Sequence, residues 1–396
     1  MGKPRNSTST AADAAQMTFF EFFAGGGMAR AGLGPRWRCV FANDFDHRKS
    51  ATYRENWGSS EIVTKDVGTV AASELPGTPD LVWASFPCQD LSLAGMGAGL
   101  KGNRSGTFWP FWRVVTALRN ESRAPRVIVL ENVCGTLTSH DGKDFRAISD
   151  ALSEAGYNFG AVVIDAENFV PQSRPRLFVI GVLDSVTIPN ALVSESPITK
   201  WHTKALKLAQ SRMSKAAKGK WVWWNLPIPN RRALSIADII QNEPTGVEWH
   251  TPEETAKLLG MMSDVNAAKV ENARHSGETE VGTIYKRTRI DEAGIKVQRA
   301  EVRFDGIAGC LRTSSGGSSR QLILVVSGSE IRSRLLSSRE AARLMGLPDS
   351  YVLPHNYNES YHLTGDGVVV PVVRFLAEHL LEPLVNAVAT PTRMVA

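Results

Sequence analysis

From Met17 onward, short apolar runs alternate with stretches whose apolar positions recur every three or four residues, the pattern of strands joined by crossover helices. Residues 18–23, 37–42, 62–64, 81–84, 126–130, 159–165 and 177–182 read as seven strands. Helical spacing from Met28, over 108–118 and over 144–155 supplies the crossovers. This predicts an α/β fold with a mostly parallel sheet, which binds ligands just beyond the carboxyl ends of its strands. There the chain carries Gly25-Gly26-Gly27, Asn43-Asp44, Lys65-Asp66, Pro87-Cys88-Gln89 and Glu131-Asn132-Val133. After Asp184 the alternation breaks, and proline, tryptophan and basic residues prevail until about 305. Within that stretch, 284–290 and 295–304 flank a hairpin turn at Asp291-Glu-Ala-Gly294. Helix returns over 337–345, capped by Ser337 or Ser338, and a last helix opens at Gly365 and runs to about Leu381.

Composition narrows the class. With 43% hydrophobic and 21% charged residues the chain suits a globular protein, apart from a polar tail at 1–16 that is expected to be disordered. No apolar run approaches the ~18 residues of a membrane helix, and the start lacks the apolar core of a signal peptide, so a cytoplasmic location is expected. Cys39, Cys88, Cys134 and Cys310 form no Cys-x-x-Cys, which argues against a zinc site or a disulfide framework. The net charge of +5 is mild, but residues 200–232 hold nine Lys or Arg and no Asp or Glu, together with Trp201, Trp221, Trp223 and Trp224. That segment is either a solvated helix face followed by core tryptophans or a phosphate-facing surface; both readings stay open.

Cys88 stands where a strand empties into a loop with glycines at 95, 97, 99, 102 and 106. A thiol beside such a lid is a candidate nucleophile, although most lone cysteines are small buried hydrophobes. Gly25-Gly26-Gly27 lets a backbone pass close to a ligand without the Gly-x-Gly-x-x-Gly spacing of a dinucleotide site, which argues against a nicotinamide oxidoreductase. Asp44 is placed to accept from ribose hydroxyls and Asp66 from an adenine amine; either acid alone is more often a turn residue or helix cap.

Taken together the blocks resemble the DNA cytosine-5 methyltransferase family, bacterial and phage type. Phe23-Ala-Gly25-Gly-Gly27, Pro87-Cys88-Gln89, Glu131-Asn132-Val133, Gln172-Ser-Arg174-Pro-Arg176, Arg339 to Asp349 and Gly365-Asp366-Gly367-Val368 appear in the family's order. The resemblance implies a Rossmann-like S-adenosylmethionine-dependent methyltransferase sheet over 17–183, a smaller variable target-recognition domain over 184–305, and a return to the catalytic domain over 306–396. It implies that Cys88 adds to carbon 6 of a flipped cytosine and that Glu131 bonds the base N3 and amine. Arg174 and Arg176, two apart on an extended segment, would point the same way and hold the base oxygen O2; without the family they would read as a surface ion pair. Cofactor contacts carry over to Phe23, Gly25, Gly26, Asp44, Phe45, Asp66, Val67, Pro87, Phe108, Asp366 and Val368. DNA contacts are expected from Gln89, Ser92, Lys204, Lys207, Arg212, Lys215, Arg312 and Arg320. The implied partners are double-stranded DNA and a restriction endonuclease acting on the same site, with no membrane and no metal, and a monomer is expected.

Three positions depart from the family pattern: Glu21 replaces an Asp, Ser85 a Gly, and Gly365-Asp366-Gly367-Val368 the commoner Gly-Asn-Ser-Val. Two alternatives share the fold. A transfer-RNA cytosine methyltransferase would carry Cys-Phe-Thr in the variable region, and this chain has none. A non-catalytic DNA-docking module should have lost at least one of Cys88, Glu131, Arg174 and Arg176, and all four are present.

Overall fold

The structure is a computed structural model and describes residues 16–87, 107–291, 294–312 and 320–387. Seven strands build the larger sheet: β1 (Met17–Phe22), β2 (Trp37–Asp44), β3 (Ile62–Thr64), β4 (Leu81–Ala84), β5 (Val127–Val133), β6 (Tyr157–Asp165) and β7 (Pro175–Leu183). Their order is β3-β2-β1-β4-β5-β7-β6, parallel except that β7 runs antiparallel to β5 and β6. Successive side chains alternate between two cores, as a sheet buried on both faces requires. Phe19, Leu81, Trp83, Val127 and Val129 enter one core, and Phe20, Phe22, Val82, Ile128 and Leu130 enter the other. Each fully buried aromatic of this kind contributes about 1.5–3 kcal/mol over an exposed one.

Helices cover both faces. α1 (Met28–Leu33) and α2 (His47–Trp57) follow the first two strands. α3 (Phe108–Asn120) and α4 (Lys143–Glu154) pack on the second core, through residues such as Phe108, Phe111, Phe145 and Leu152. The α2 start is fixed by Asp46, whose Oδ1 accepts from the amides of Arg48 (2.8 Å) and Lys49 (3.2 Å).

The basic segment lies on the larger sheet. After β8 (Val193–Ser194), it forms α5 (Lys204–Ser211) and α6 (Lys215–Gly219), and β9 (Trp223–Trp224) pairs with β8. Leu206, Ala209, Met213 and Ala217 enter the second core, whereas Trp201 and Trp224 enter the first. Lys204, Lys207, Arg212 and Lys215 are exposed on the other side. Residues 220–222 run beside Phe159 and cap the open edge of β6: the Phe159 amide donates to the Lys220 carbonyl (2.9 Å) and its carbonyl accepts from the Val222 amide (2.8 Å). Residues 193–226 thus pack with the larger sheet, whereas the sequence places them in the variable region over 184–305.

A second sheet has the order β11-β10-β12-β13, from β10 (Thr279–Ile290), β11 (Lys296–Arg303), β12 (Leu322–Ser327) and β13 (Glu330–Leu335). The expected hairpin is β10 and β11; β12 and β13 were read as part of the returning catalytic segment, but antiparallel pairing of β12 with β10 puts both in the smaller sheet. A short α7 (Ile236–Ile239) leads in, and α8 (Pro252–Leu259) and α9 (Asp264–Arg274) pack against this sheet through Leu258, Met262 and Val270. The chain then returns through α10 (Ser338–Leu344), α11 (Tyr357–Asp366), α12 (Val370–Leu376) and α13 (Glu382–Asn386). Gly365 therefore ends a helix instead of opening one: α11 terminates there, and the last helical stretch starts at Val370 with Pro371 in its first turn.

Candidate active site

One cavity of about 420 Å³ lies at the carboxyl ends of β1, β2, β4 and β5 and is closed by the end of α11. Its floor is the turn after β1. Phe23 has φ of 56° and Gly25 of 55°, and a side chain on Gly25 would project into open space. Gly26 has the opposite constraint: an added Cβ would lie 2.2 Å from the Tyr351 hydroxyl. Its carbonyl accepts from that hydroxyl (2.7 Å) and from Trp57 Nε1 (3.0 Å). Asp44, at the end of β2, closes the turn by accepting from the Gly25 amide at 2.8 Å, while its other oxygen accepts from Asp46 at 2.8 Å. Phe45 next to it is 68% exposed, an unusual state for a large aromatic on a cavity wall.

Glu21 lines the same floor and is 1% exposed, with Oε2 buried and unpartnered. Burial pushes its carboxyl up to about 8, against the pull of the Arg30 charge and of the Arg30 and Ala29 amides.

The reactive end is built by β5 and β7. Glu131 lies opposite Phe178, so Arg176, two residues before Phe178, is its diagonal neighbour on the same sheet face. Arg176 Nε comes 3.4 Å from Glu131 Oε1, with the side chains 16% and 8% exposed. Burial raises the Glu131 carboxyl above its ordinary value, while Arg176, Arg174 and the Ser85 hydroxyl pull it back. Asn132 ties the two strand ends, donating from Nδ2 to the Phe86 carbonyl at 3.0 Å. Pro87 is on the wall as well. The next residue, Cys88, lies outside the described residues, as do Gln89 and Ser92.

Arg174 and Arg176 both reach the cavity but have different partners. Arg174 is 1% exposed, and its Nη1 donates to the Leu311 carbonyl (2.9 Å) and Nη2 to the carbonyls of Gly365 (2.7 Å) and Gly367 (2.8 Å). Burial, and then the Arg176 charge, bring it down to about 10. It is a tie between three chain segments, and its Nε is buried without a partner. Cys310 sits beside them, 3.4 Å from Arg174 Nη1 and 4.0 Å from Arg176 Nη2. Burial pushes its thiol up, but the charges of Arg174, Arg176 and Arg312 outweigh it and hold it below the usual value.

Of the expected cofactor residues, Phe23, Gly25, Gly26, Asp44, Phe45, Pro87, Asp366 and Val368 line the cavity. Asp66, Val67 and Phe108 do not: Asp66 caps the turn after β3, accepting from the Gly68 amide at 2.6 Å, and Val67 and Phe108 are buried in the second core. Lys204, Lys207, Arg212 and Lys215 are not on the wall either. Arg312 is exposed, and Arg320 donates to Asn358 and stacks on Tyr357. Sequence reasoning gave no role to Lys49, Asn132 or Cys310, and treated Glu21 only as a departure. Glu21 could have been found, since it is a lone acid within the apolar run of β1.

Residues 17–382 match the C-5 cytosine-specific DNA methylase family. Type II methyltransferase M.BsuFI of Bacillus subtilis is 25% identical over 376 residues, covering 94% of this chain and 74% of that protein. Type II methyltransferase M.NlaX of Neisseria lactamica is 27% identical over 365 residues, covering 91% and 95%. The solved structure of Entamoeba histolytica methyltransferase EhMeth shares the fold, with a TM-score of 0.60 at 15% identity over 93% of this chain and 99% of that one. With its ordered blocks around one cavity and a family match across nearly the whole sequence, the chain belongs to the C-5 cytosine-specific DNA methylases, enzymes that methylate DNA with S-adenosylmethionine as methyl donor.

Proposed function

We propose that this enzyme methylates carbon 5 of a cytosine turned out of duplex DNA, within a specific sequence, through a covalent adduct of Cys88. The observation that carries the reading is the buried Glu131–Arg176 pair on the same cavity wall as Pro87, the residue before the thiol. Carbon 5 of cytosine is a weak nucleophile, and a thiolate bonding to carbon 6 moves electron density onto carbon 5. Negative charge then collects on the ring side bearing N3 and O2. Glu131, whose carboxyl burial raises above its ordinary value, bonds N3 and the exocyclic amine, and Arg176 donates to O2, so both oppose that charge. Removal of the carbon-5 proton afterwards returns electrons to the ring and expels the Cys88 sulfur. The target must leave the base stack to reach so enclosed a wall.

The residues present fit the cofactor. S-adenosylmethionine supplies a methyl group on a cationic sulfur. Its ammonium matches the unpartnered oxygen of Glu21, its ribose hydroxyls match Asp44, and the exposed Phe45 ring offers a face for adenine. The open side of Gly25 lets the backbone approach closely.

For target reading, the smaller sheet with Arg312 and Arg320 supplies the DNA-contacting side, and the exposed cations of α5 and α6 add phosphate contacts at most. The enzyme works as a monomer, and the type II class of its relatives supports a restriction endonuclease sharing its site. Among the described residues no helix is long and apolar enough to cross a membrane.

The test uses duplex DNA from cells expressing the protein. Bisulfite sequencing should reveal 5-methylcytosine in one sequence context, and a duplex with 5-fluorocytosine at that position should form a stable adduct that Cys88→Ala abolishes. Methyl transfer to transfer RNA alone, or methylation by the Cys88→Ala protein, would overturn the reading.

A further inference from the structure

Lys49, in the first turn of α2, and Asp366, at the end of α11, meet on the cavity wall with Nζ 2.6 Å from Oδ2. Their side chains are 23% and 44% exposed, so the pair is half in solvent and open to a ligand. Asp366 also stands where the family's final block usually has asparagine, and Gly367 where it usually has serine. Two neutral hydrogen-bonding side chains are thus replaced by one anion and one bare backbone position.

Glu21, Asp44, Glu131 and Asp366 are acids, and among the described lining residues the Lys and Arg are Lys49, Arg174 and Arg176. Arg174 spends Nη1 and Nη2 on backbone carbonyls, and Arg176 faces Glu131. Lys49 differs: an ammonium has three donors, and the bond to Asp366 takes one. Burial disfavours its charge, but Asp366, then Asp44 and Asp46, more than restore it, so it is a cation throughout the neutral range.

The amino-acid end of S-adenosylmethionine is a zwitterion. Its ammonium suits an acid, and its carboxylate suits a cation with a donor to spare. We propose that Lys49 is a cofactor-positioning residue whose ammonium bonds the carboxylate of the cofactor, with Asp366 holding that ammonium in place. The proposal rests on the cofactor reading above. In this chain the donor stands on α2, facing a final block that carries Asp366 and Gly367.

Binding measured calorimetrically with two ligands tests it. S-adenosylhomocysteine carries the amino-acid end, and 5′-deoxy-5′-methylthioadenosine lacks it. Lys49→Met should raise the Kd for S-adenosylhomocysteine about tenfold, the lower end for a charge-assisted bond. It should leave methylthioadenosine within about twofold, which also shows that the variant has folded. Lys49→Arg should bind both as wild type does. The double variant Lys49→Met/Asp366→Asn should hold S-adenosylhomocysteine more tightly than Lys49→Met, because the unpaired Asp366 would repel the carboxylate. Equal weakening of both ligands would overturn the proposal by making the pair a plain tie between helices, as would unchanged affinity for S-adenosylhomocysteine. A tenfold loss on Asp366→Asn alone would overturn it too. If wild-type protein binds neither ligand, the cofactor reading falls and takes the role of Lys49 with it.

Discussion

Removing Arg334 should cost far more than removing an ordinary surface arginine. Arg334 on β13 and Glu340 on α10 are both fully buried, and they pair through two bonds, Nη1 to Oε2 at 2.8 Å and Nη2 to Oε1 at 2.7 Å. The carboxylate also accepts from the amides of Gln241 (2.6 Å) and Ser337 (2.7 Å), and Arg334 donates to the carbonyls of Gln241 (3.0 Å) and Leu335 (3.1 Å). Arg334→Met fills the space but leaves Glu340 a buried anion held by two amides. Breaking a buried pair from one side costs about 3–5 kcal/mol, a large share of the roughly 5–15 kcal/mol that keeps a domain folded. Urea unfolding of wild type, Arg334→Met, Glu340→Gln and the double variant gives the coupling directly. The double variant should lose less than the sum of the singles by about 1–3 kcal/mol. S-adenosylhomocysteine affinity of the folded protein should stay within about twofold, because neither residue touches the cavity. A loss below about 1 kcal/mol for Arg334→Met, or strict additivity, would refute the reasoning.

Three further outcomes are expected. Glu21 has its folded-state value raised from 4.5 to about 8, so the folded protein keeps a proton that the unfolded chain releases between those values. Stability carried by this group therefore falls as pH rises through that window, and Glu21→Gln should gain up to about 1.4 kcal/mol per pH unit relative to wild type, levelling above the upper limit; unfolding at pH 4.5, 6.5 and 8.5 checks it. Arg176→Ala should lower kcat at least about a hundredfold with S-adenosylhomocysteine binding unchanged, whereas Arg174→Ala should weaken that binding, since it frees the carbonyls of Gly365 and Gly367; calorimetry beside single-turnover methylation separates the two. Gly26→Ala forces a Cβ to within 2.2 Å of the Tyr351 hydroxyl and should lower stability by about 1–3 kcal/mol; equal unfolding midpoints would show that Tyr351 yields freely.

How much of this was legible before the structure depended on whether the signal was local. The strands of the larger sheet read correctly because each is a short apolar run with its functional residue at one end, as in Val127–Val133 with Glu131. β12 is not legible because Leu322–Ser327 gains its meaning from pairing with β10, some 40 residues earlier in the chain, and β13 (Glu330–Leu335) joins the sheet only through β12. The basic stretch was ambiguous for a related reason: Lys204, Lys207, Arg212 and Lys215 advertise charge, while the alternating Leu206, Ala209, Met213 and Ala217 that anchor it are ordinary helix residues. Arg174 and Arg176 look equivalent in sequence, and only the carbonyls of Leu311, Gly365 and Gly367 distinguish them. The ion pair of Lys49 and Asp366 spans 317 positions, a separation at which no local pattern carries information.

The joining of segments 345 residues apart has a consequence for the birth of the chain. α1 packs on α12, with Gly32 so close to Val373 that a Cβ would sit 2.3 Å from it, and Trp37 donates to Glu382 across 345 residues. A ribosome releases the glycine turn and α1 well before Tyr351, Asp366 and Val373, since Gly26 and Tyr351 are 325 residues apart. Until then the apolar side of α1, with Met28, Ala29 and Leu33, faces solvent or a chaperone. A chain that stops before Tyr351 therefore lacks the cavity wall from His362 to Val368 and leaves α1 uncovered.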